Sequence, residues 1–189
     1  MDPRRAIKQQ RSELDDSYIG LASVLIAEQL LNMNRVLRAE RIAAYMSTGG
    51  EVDCAPILDS AKLRKKSIFL PVLRKTGLLF APVEKGTPTR ANRFGILEPV
   101  YENADLLAGS DLDIVIAPLV AFDNNCNRLG MGGGYYDRSF AFRKRRKKWR
   151  RPLLIGVAYD FQRIDELQAQ PWDVPLDMVI TEQTTYRHN

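Results

Sequence analysis

The feature that most constrains the fold is a series of short, fully apolar runs separated by segments with helical or turn patterns. The clearest runs are residues 113–118 (DIVIAP), 153–158 (LLIGVA) and 178–181 (MVIT). Strands without alternation of apolar and polar residues are typical of parallel sheets that helices cover on both faces. The pattern therefore predicts an α/β fold with a doubly wound, mostly parallel sheet.

Weaker patterns complete the predicted elements. Further strands are predicted at 42–46, at 67–70 with Pro71 ending the strand, and at 78–83. Helices are predicted from Pro3 with Asp2 as N-cap, from Asp16–Ser17, from Asp53 to about Lys65, and from about Tyr135. A chain of 189 residues is long enough for one buried core, so we expect a single domain over 1–189. Ligands should bind beyond the carboxyl ends of the strands, near the loops after Met46, Pro118 and Ala158.

Composition excludes several classes of site. The single histidine, His188, is the next-to-last residue, so a Ser-His-Asp mechanism or a histidine-bound zinc has little support. Cys54 and Cys126 have no metal-ligand spacing. Neither a secretory signal nor an apolar run of about 20 residues is present, so we expect a cytoplasmic protein with reduced thiols and no membrane partner. Phosphoryl transfer suits this composition, because it depends on positioning and electrostatics rather than on histidine.

The strongest chemical signal is the segment 128–137 (RLGMGGGYYD). It contains four glycines, Gly130, Gly132, Gly133 and Gly134. Glycines permit backbone conformations in which successive N–H groups converge on an anion, and the following helix directs its positive end there. Arg128 adds a cation, and Asp137 could hold Mg²⁺ against phosphates. The segment is neither a Walker A loop nor a dinucleotide fingerprint. It predicts an enzyme that uses ATP and Mg²⁺.

Several other side chains have two plausible roles. Tyr135 and Tyr136 could pack in the core or stack on a planar ligand. Glu51 follows a Gly-Gly pair at a strand end and could contact a ligand. Asp173 and Asp177 precede the last strand, where they could serve turns or caps, or supply a second carboxylate for the metal.

Positive charge is concentrated in two places. Arg4, Lys8 and Arg11 share one face of the first helix, which predicts either a solvated face or a basic arm toward phosphate. The run 143–151 (RKRRKKWRR) has eight basic residues and accounts for the net charge of +5. We interpret it as a solvated helix end. Nucleic acid is an unlikely partner, because Trp149 is the only aromatic residue of the run.

A family resemblance adds to these interpretations. Residues 121–138 (AFDNNCNRLGMGGGYYDR) resemble the signature of the 5-formyltetrahydrofolate cyclo-ligases. Flanking pieces match in the right order over nearly the whole chain. They are GEVD at 50–53, IFLP at 68–71, FGI at 94–96 with Glu98-Pro99, and WDVPLDMVITE at 172–182.

The resemblance implies a Rossmann-like three-layer α/β sandwich. It also implies the conversion of 5-formyltetrahydrofolate to 5,10-methenyltetrahydrofolate, with ATP as co-substrate and Mg²⁺ as cofactor. ATP would phosphorylate the formyl oxygen, and ADP and phosphate would be released. A different ATP-dependent transferase on the same scaffold is the alternative, because a fold does not determine its function.

The resemblance also assigns residues. Arg128 and Asp137 would be catalytic. ATP contacts would be Arg4, Lys8, Arg128, Gly130, Gly132, Gly133, Gly134 and Tyr136. Folate contacts would be Met46, Glu51, Met131, Gly132, Gly133, Gly134 and Tyr135. Asp137 and Asp173 would bind Mg²⁺. Two positions depart from the family pattern. Trp172 stands where many members have histidine, and Arg4 and Lys8 exchange the family's Lys-then-Arg order.

Overall fold

The computed structural model describes residues 3–146 and 151–188. Its helices are α1 (Pro3–Ser12), α2 (Asp16–Leu31), α3 (Asn34–Arg38), α4 (Ala55–Leu63) and α5 (Tyr135–Phe140). Its strands are β1 (Arg41–Ala43), β2 (Ser67–Arg74), β3 (Gly77–Val83), β4 (Thr89–Ala91), β5 (Leu97–Pro99), β6 (Ile114–Ala117), β7 (Ala121–Phe122), β8 (Arg128–Leu129), β9 (Leu153–Val157), β10 (Met178–Ile180) and β11 (Thr185–Arg187).

The main sheet has seven strands in the order β11-β10-β9-β6-β1-β2-β3. Neighbours from β10 to β2 are parallel, whereas β11 and β3 are antiparallel strands at the two edges. The apolar runs that suggested buried strands form β6, β9 and β10, and every residue of these strands is buried. The predicted mostly parallel α/β sheet is confirmed.

Helices cover both faces of this sheet. Along β6 the side chains alternate, so that Ile114 and Ile116 face α2 and α4 while Val115 and Ala117 face the side of α5. Phe140 of α5 is fully buried on that second side. The two apolar clusters make three layers, and they explain why strands β6, β9 and β10 contain no polar residue.

Strand β2 runs through Pro71, which corrects the expected end at residue 70. Pairing with β1 stops at Phe69, while pairing with β3 continues to Arg74. The N–H of Leu73 points away from β3 and donates to Oε1 of Glu98 (3.0 Å). Residues two apart point the same way, so the N–H that Pro71 lacks would also face away from β3. The proline therefore removes no hydrogen bond of the β2–β3 ladder.

The basic run also differs from expectation. Helix α5 ends at Phe140 and a 3₁₀ turn follows, Ala141–Arg145. Arg143 is buried and donates to both carboxylate oxygens of Asp177 (2.7 and 2.6 Å), so it does not belong to a solvated face. Residues 147–150 of the run, and the expected N-cap Asp2, lie outside the described residues.

Among residues 3–146 and 151–188, no helix is both long enough and apolar enough to cross a membrane.

Candidate active site

A cleft of about 1050 Å³ opens beside the glycine segment. Met46 lines it at the carboxyl end of β1, and Pro118 and Leu119 line it at the carboxyl end of β6. The loop after Ala158, also expected at a ligand site, is not part of the lining. The cleft brings together every residue to which the family resemblance assigns a role: Arg4, Lys8, Met46, Glu51, Arg128, Gly130, Met131, Gly132, Gly133, Gly134, Tyr135, Tyr136, Asp137 and Asp173.

The glycine segment follows a small hairpin rather than a strand of the main sheet. Strands β7 and β8 pair through two residues each, which places Arg128 at the start of the segment. Gly132 (φ 93°) and Gly134 (φ 63°) then adopt left-handed conformations, and Gly134 is the N-cap of α5. Side chains with a Cβ rarely adopt these angles, so the turn into α5 requires glycine at both positions.

Arg128 and Asp137 form an ion pair at the wall of the cleft. Nη2 of Arg128 donates to Oδ1 of Asp137 (2.6 Å), and Nη1 donates to the carbonyl of Val174 (2.5 Å). The Arg128 side chain is 6% exposed and that of Asp137 is 23% exposed. The N–H of Val174 donates to the same Oδ1 (3.1 Å). The segment before the last parallel strand is thereby tied to the glycine segment.

The carboxylates of Asp137 and Asp173 could bind Mg²⁺ only if a phosphate ligand completed its coordination. Within residues 3–146 and 151–188, no three His, Cys, Asp or Glu side chains cluster to form a metal site. Asp137 makes both of its hydrogen bonds through Oδ1, and Asp173 uses Oδ2 in a turn with the N–H of Gln170 (2.8 Å). Mg²⁺ commonly takes one or two carboxylates and completes its shell with water and substrate phosphates. Asp137 and Asp173 fit that pattern.

Asp177, the alternative second carboxylate, has a structural role. It does not line the cleft, and besides Arg143 it accepts the N–H of Leu154 (2.7 Å). Both of its oxygens are used inside the protein.

The two adjacent tyrosines have different surroundings. Tyr136 stacks on Phe140 (6.2 Å between ring centroids) and lies under the guanidinium of Arg128. Burial raises the pKa of its hydroxyl well above the ordinary value, so it stays protonated. The hydroxyl of Tyr135 accepts a hydrogen bond from Nη2 of Arg93 (2.6 Å), and its ring meets Phe94 edge to face (6.4 Å). Both rings line the cleft, so stacking on a ligand is open to either.

Glu51 lies deep in another part of the cleft lining, with 11% of its side chain exposed. Its Oε2 accepts the N–H of Thr48 (3.1 Å), and its Oε1 lies 3.5 Å from Nη1 of Arg11. Burial raises the pKa of this carboxyl, and the charge of Arg11 opposes that rise. Glu51 is therefore a largely buried acid that lines a ligand-sized space.

Helix α1 contributes its basic face to the cleft. Nε of Arg4 donates to the carbonyl of Gly130 (3.0 Å), and Lys8 is an exposed lining residue. Arg11 is 3% exposed, so the expectation of a solvated face is wrong at this residue. Helical spacing alone could not show this, because the burial of Arg11 comes from loop residues about forty positions further along the chain.

The hairpin β4–β5 supplies an apolar wall that the sequence reasoning missed. Phe94, Ile96 and Leu97 line the cleft and stay 56%, 37% and 44% exposed. Oε1 of Glu98 accepts the N–H of Leu73 and the amide of Asn92 (2.8 Å), which fixes the hairpin on β2. A cluster of large apolar side chains around Gly95 was the available signal. Exposed apolar surface in the wall of a cleft suits a planar aromatic ligand.

The fold and the site define a mostly parallel α/β protein with a large cleft beyond the carboxyl ends of its strands. This is the usual position of small-molecule sites in the class. The chain belongs to the 5-formyltetrahydrofolate cyclo-ligase family, whose model matches residues 2–182.

Individual relatives cover most of the chain. It is 36% identical to 5-formyltetrahydrofolate cyclo-ligase of Haemophilus influenzae over 92% of both chains. It is 33% identical to the enzyme of the same name from Escherichia coli K12, over 93% of this chain and 96% of the relative. The solved structure of 5,10-methenyltetrahydrofolate synthetase from Aquifex aeolicus superposes with a TM-score of 0.82 at 31% identity, over 98% of this chain and 91% of that one.

Proposed function

We propose that this chain converts 5-formyltetrahydrofolate to 5,10-methenyltetrahydrofolate, with ATP as co-substrate, as one domain over residues 1–189. The observation that carries the proposal is the single cleft that combines the glycine segment, the Arg128–Asp137 pair and the buried Glu51. The cleft volume of about 1050 Å³ is sufficient for two ligands side by side. Family membership supplies the substrate class.

The first step would be phosphoryl transfer to the formyl oxygen. That oxygen attacks the γ-phosphorus, the bond to the β-phosphate oxygen breaks, and ADP leaves. Arg128 and the N–H groups of Gly132, Gly133 and Gly134 are suited to stabilise negative charge on the transferring group. Cations from α1, Arg4 and Lys8, would hold the other phosphates. Binding both substrates in one cleft makes the step effectively unimolecular.

The second step would close the ring. The N10 amine attacks the activated formyl carbon, the carbon–oxygen bond breaks, phosphate leaves, and N10 loses its proton. Glu51 would hold the pterin by hydrogen bonds, with Met46 as an apolar neighbour and with Met131 and Tyr135 along the folate. No histidine is required, because phosphorylation has already made the oxygen a good leaving group.

Asp137 and Asp173 would hold Mg²⁺, which when bound neutralises phosphate charge. The ion pair of Asp137 with Arg128 supports this assignment, because it keeps the carboxylate at the wall from which Arg128 would reach a phosphate.

The decisive experiment is the complete reaction. Purified protein with 5-formyltetrahydrofolate, ATP and Mg²⁺ is expected to produce methenyltetrahydrofolate, ADP and phosphate in equal amounts. The product has extended conjugation, so near-ultraviolet absorbance follows it directly. Omission of ATP or chelation of the metal should stop the reaction, because an unactivated formamide is a poor electrophile.

Two controls separate the parts of the proposal. The 10-formyl isomer should not consume ATP in a coupled way, because its formyl group sits on the wrong nitrogen. ATP hydrolysis without the new chromophore would indicate a different acceptor, that is, another ATP-dependent transferase on this scaffold. If folded protein showed neither, the nucleotide role of the 128–137 segment would be refuted as well.

Replacement of Glu51 tests the folate side of the cleft. Glu51→Ala is expected to lower kcat/KM for 5-formyltetrahydrofolate about 10- to 100-fold, because a hydrogen bond to a charged group is worth about 1.5–3 kcal/mol. The KM for ATP should change much less. Steady-state kinetics with each substrate varied in turn measure the difference. Glu28→Ala, an exposed α2 position outside the cleft, is the matched control. A loss of ATP binding with unchanged folate binding would contradict the assignment.

A further inference from the structure

Arg11 is an unusual residue for its position. It lies in the last turn of a ten-residue helix, yet it is 3% exposed. Its guanidinium faces Glu51, whose Oε1 lies 3.5 Å from Nη1. Helix α1 therefore reaches the buried acid of the cleft directly, in addition to contributing Arg4 and Lys8.

The loop that carries Glu51 packs closely against Arg11 through Gly49 and Gly50. A Cβ on Gly50 would lie 2.5 Å from the carbonyl oxygen of Arg11, which is too close for any side chain. Gly49 lies next to the guanidinium, with a Cβ position 3.9 Å from Nη2. Both glycines have positive φ (56° and 71°), so the turn has a conformation and a closeness that only glycine permits.

A purely structural role does not account for this arginine. In the described part of the chain its Nε is buried without a hydrogen-bond partner, and its Nη1 has only the 3.5 Å ion pair with Glu51. An under-satisfied buried cation costs free energy that an apolar side chain of similar length would avoid. Strained or costly groups of this kind concentrate at functional sites, and here the cation faces a cleft acid.

We propose that Arg11 is a positioning residue that holds Glu51 and the Gly49–Gly50 turn so that Glu51 meets the substrate as an oriented carboxylate. The inference rests on the proposed function and deepens it. Arg11 acts on the folate side of the cleft through Glu51, whereas Arg4 and Lys8 lie on the same helix toward the glycine segment.

The charges around Glu51 favour this role. Tyr45, Cys54 and Tyr136 are further titratable groups that interact with the charge of Glu51. Burial raises the pKa of each of these three, so all are neutral at neutral pH. Burial also raises the pKa of Glu51 itself, and Arg11 is the cation that opposes that rise. Removing Arg11 should therefore raise the pKa of Glu51 further and protonate it at a higher pH.

The first test is the titration of the Glu51 carboxyl in the protein without substrates. The ¹³C carboxyl resonance, identified by its loss in Glu51→Gln, should titrate at higher pH in Arg11→Gln than in the wild type. Arg11→Lys, which keeps a charge but not the guanidinium, should fall between them. Arg5→Gln, on the exposed side of the same helix, should match the wild type. An unchanged titration in Arg11→Gln overturns the proposal.

The second test is kinetic. Arg11→Gln should raise the KM for 5-formyltetrahydrofolate about tenfold at neutral pH, which corresponds to about 1.4 kcal/mol. The KM should return toward the wild-type value at higher pH, where Glu51 ionises without help, and the KM for ATP should change less than about twofold. A loss that is equal for both substrates and independent of pH assigns Arg11 a structural role only and overturns the proposal.

Two provisions keep the outcomes distinct. If Arg11→Gln does not fold, as judged by thermal unfolding, Arg11→Lys replaces it. This variant should give the same selective rise in the folate KM, smaller in size because the charge remains; no such rise contradicts the positioning role. If the wild type shows no cyclisation, the proposed function fails, while the carboxyl titration still decides the coupling of Arg11 to Glu51.

Discussion

Asp137→Asn is expected to lower turnover by about 100-fold or more. Asparagine preserves the shape of the side chain and can still accept the N–H of Val174 (3.1 Å in the wild type). It removes the charge that would hold Mg²⁺ against the phosphates. Because Arg128 loses its ionic partner, the free energy of unfolding should also fall by about 1–3 kcal/mol. Turnover at saturating ATP and chemical denaturation measure the two effects separately.

The chain offers a matched control for this variant. Asp177 forms an ion pair of the same length with Arg143, also 2.6 Å, but outside the cleft. Asp177→Asn should destabilise the fold comparably and leave turnover per folded molecule unchanged. Raising the Mg²⁺ concentration should partly restore Asp137→Asn. Near-normal activity of that variant at ordinary Mg²⁺ concentrations would exclude Asp137 as a metal ligand.

Arg128→Lys is expected to reduce kcat about 100-fold, although the positive charge is retained. The guanidinium binds Asp137 and the Val174 carbonyl at once, and it lies 5.9 Å above the ring of Tyr136. A lysine ammonium cannot reproduce this planar, two-armed geometry, so its charge would be misplaced relative to a transferring phosphoryl group. Single-turnover measurements of ADP formation separate the phosphoryl-transfer step from binding and from the later release of phosphate.

The comparison variant again alters the Arg143–Asp177 ion pair, which lies outside the cleft. Arg143→Lys alters another largely buried arginine that makes two hydrogen bonds, in this case both to the Asp177 carboxylate, remote from the cleft. It should lower stability without lowering turnover. If Arg128→Lys and Arg143→Lys lose activity only in proportion to their loss of folded protein, Arg128 has no part in phosphoryl transfer.

The sequence was sufficient for the central parallel strands and for much of the cleft, because those signals are local, whereas the edge strand β11 was not predicted. Strands β6, β9 and β10 are continuous apolar runs, which can be recognised without knowledge of their neighbours. The glycine segment likewise contains Arg128, the glycine turn and Asp137 within ten residues. Its chemistry can be predicted from the sequence because all of these parts are adjacent.

The errors arose where distant contacts decide the structure. Pro71 was expected to end a strand. The proline removes no hydrogen bond of the sheet, because the pairing of β2 with β1 ends at Phe69. Arg11 looked solvated, and the Gly49–Gly50 turn buries it. The apolar wall of β4–β5 depends on the bond between Glu98 and Leu73, which no periodicity of either segment indicates. Each case depends on register or packing between segments far apart in sequence.

The docking of α1 has a consequence for the order in which the chain folds during its synthesis. Arg4 bonds to Gly130, 126 residues later, and Ile7 packs on Val120 and Ala121. An isolated helix of ten residues is marginal in water, so α1 should gain a stable structure only after the 120–130 region has been made. At typical rates of synthesis that delay is roughly 6–25 s. Helix α1 is thus synthesised well before the residues that hold it in place.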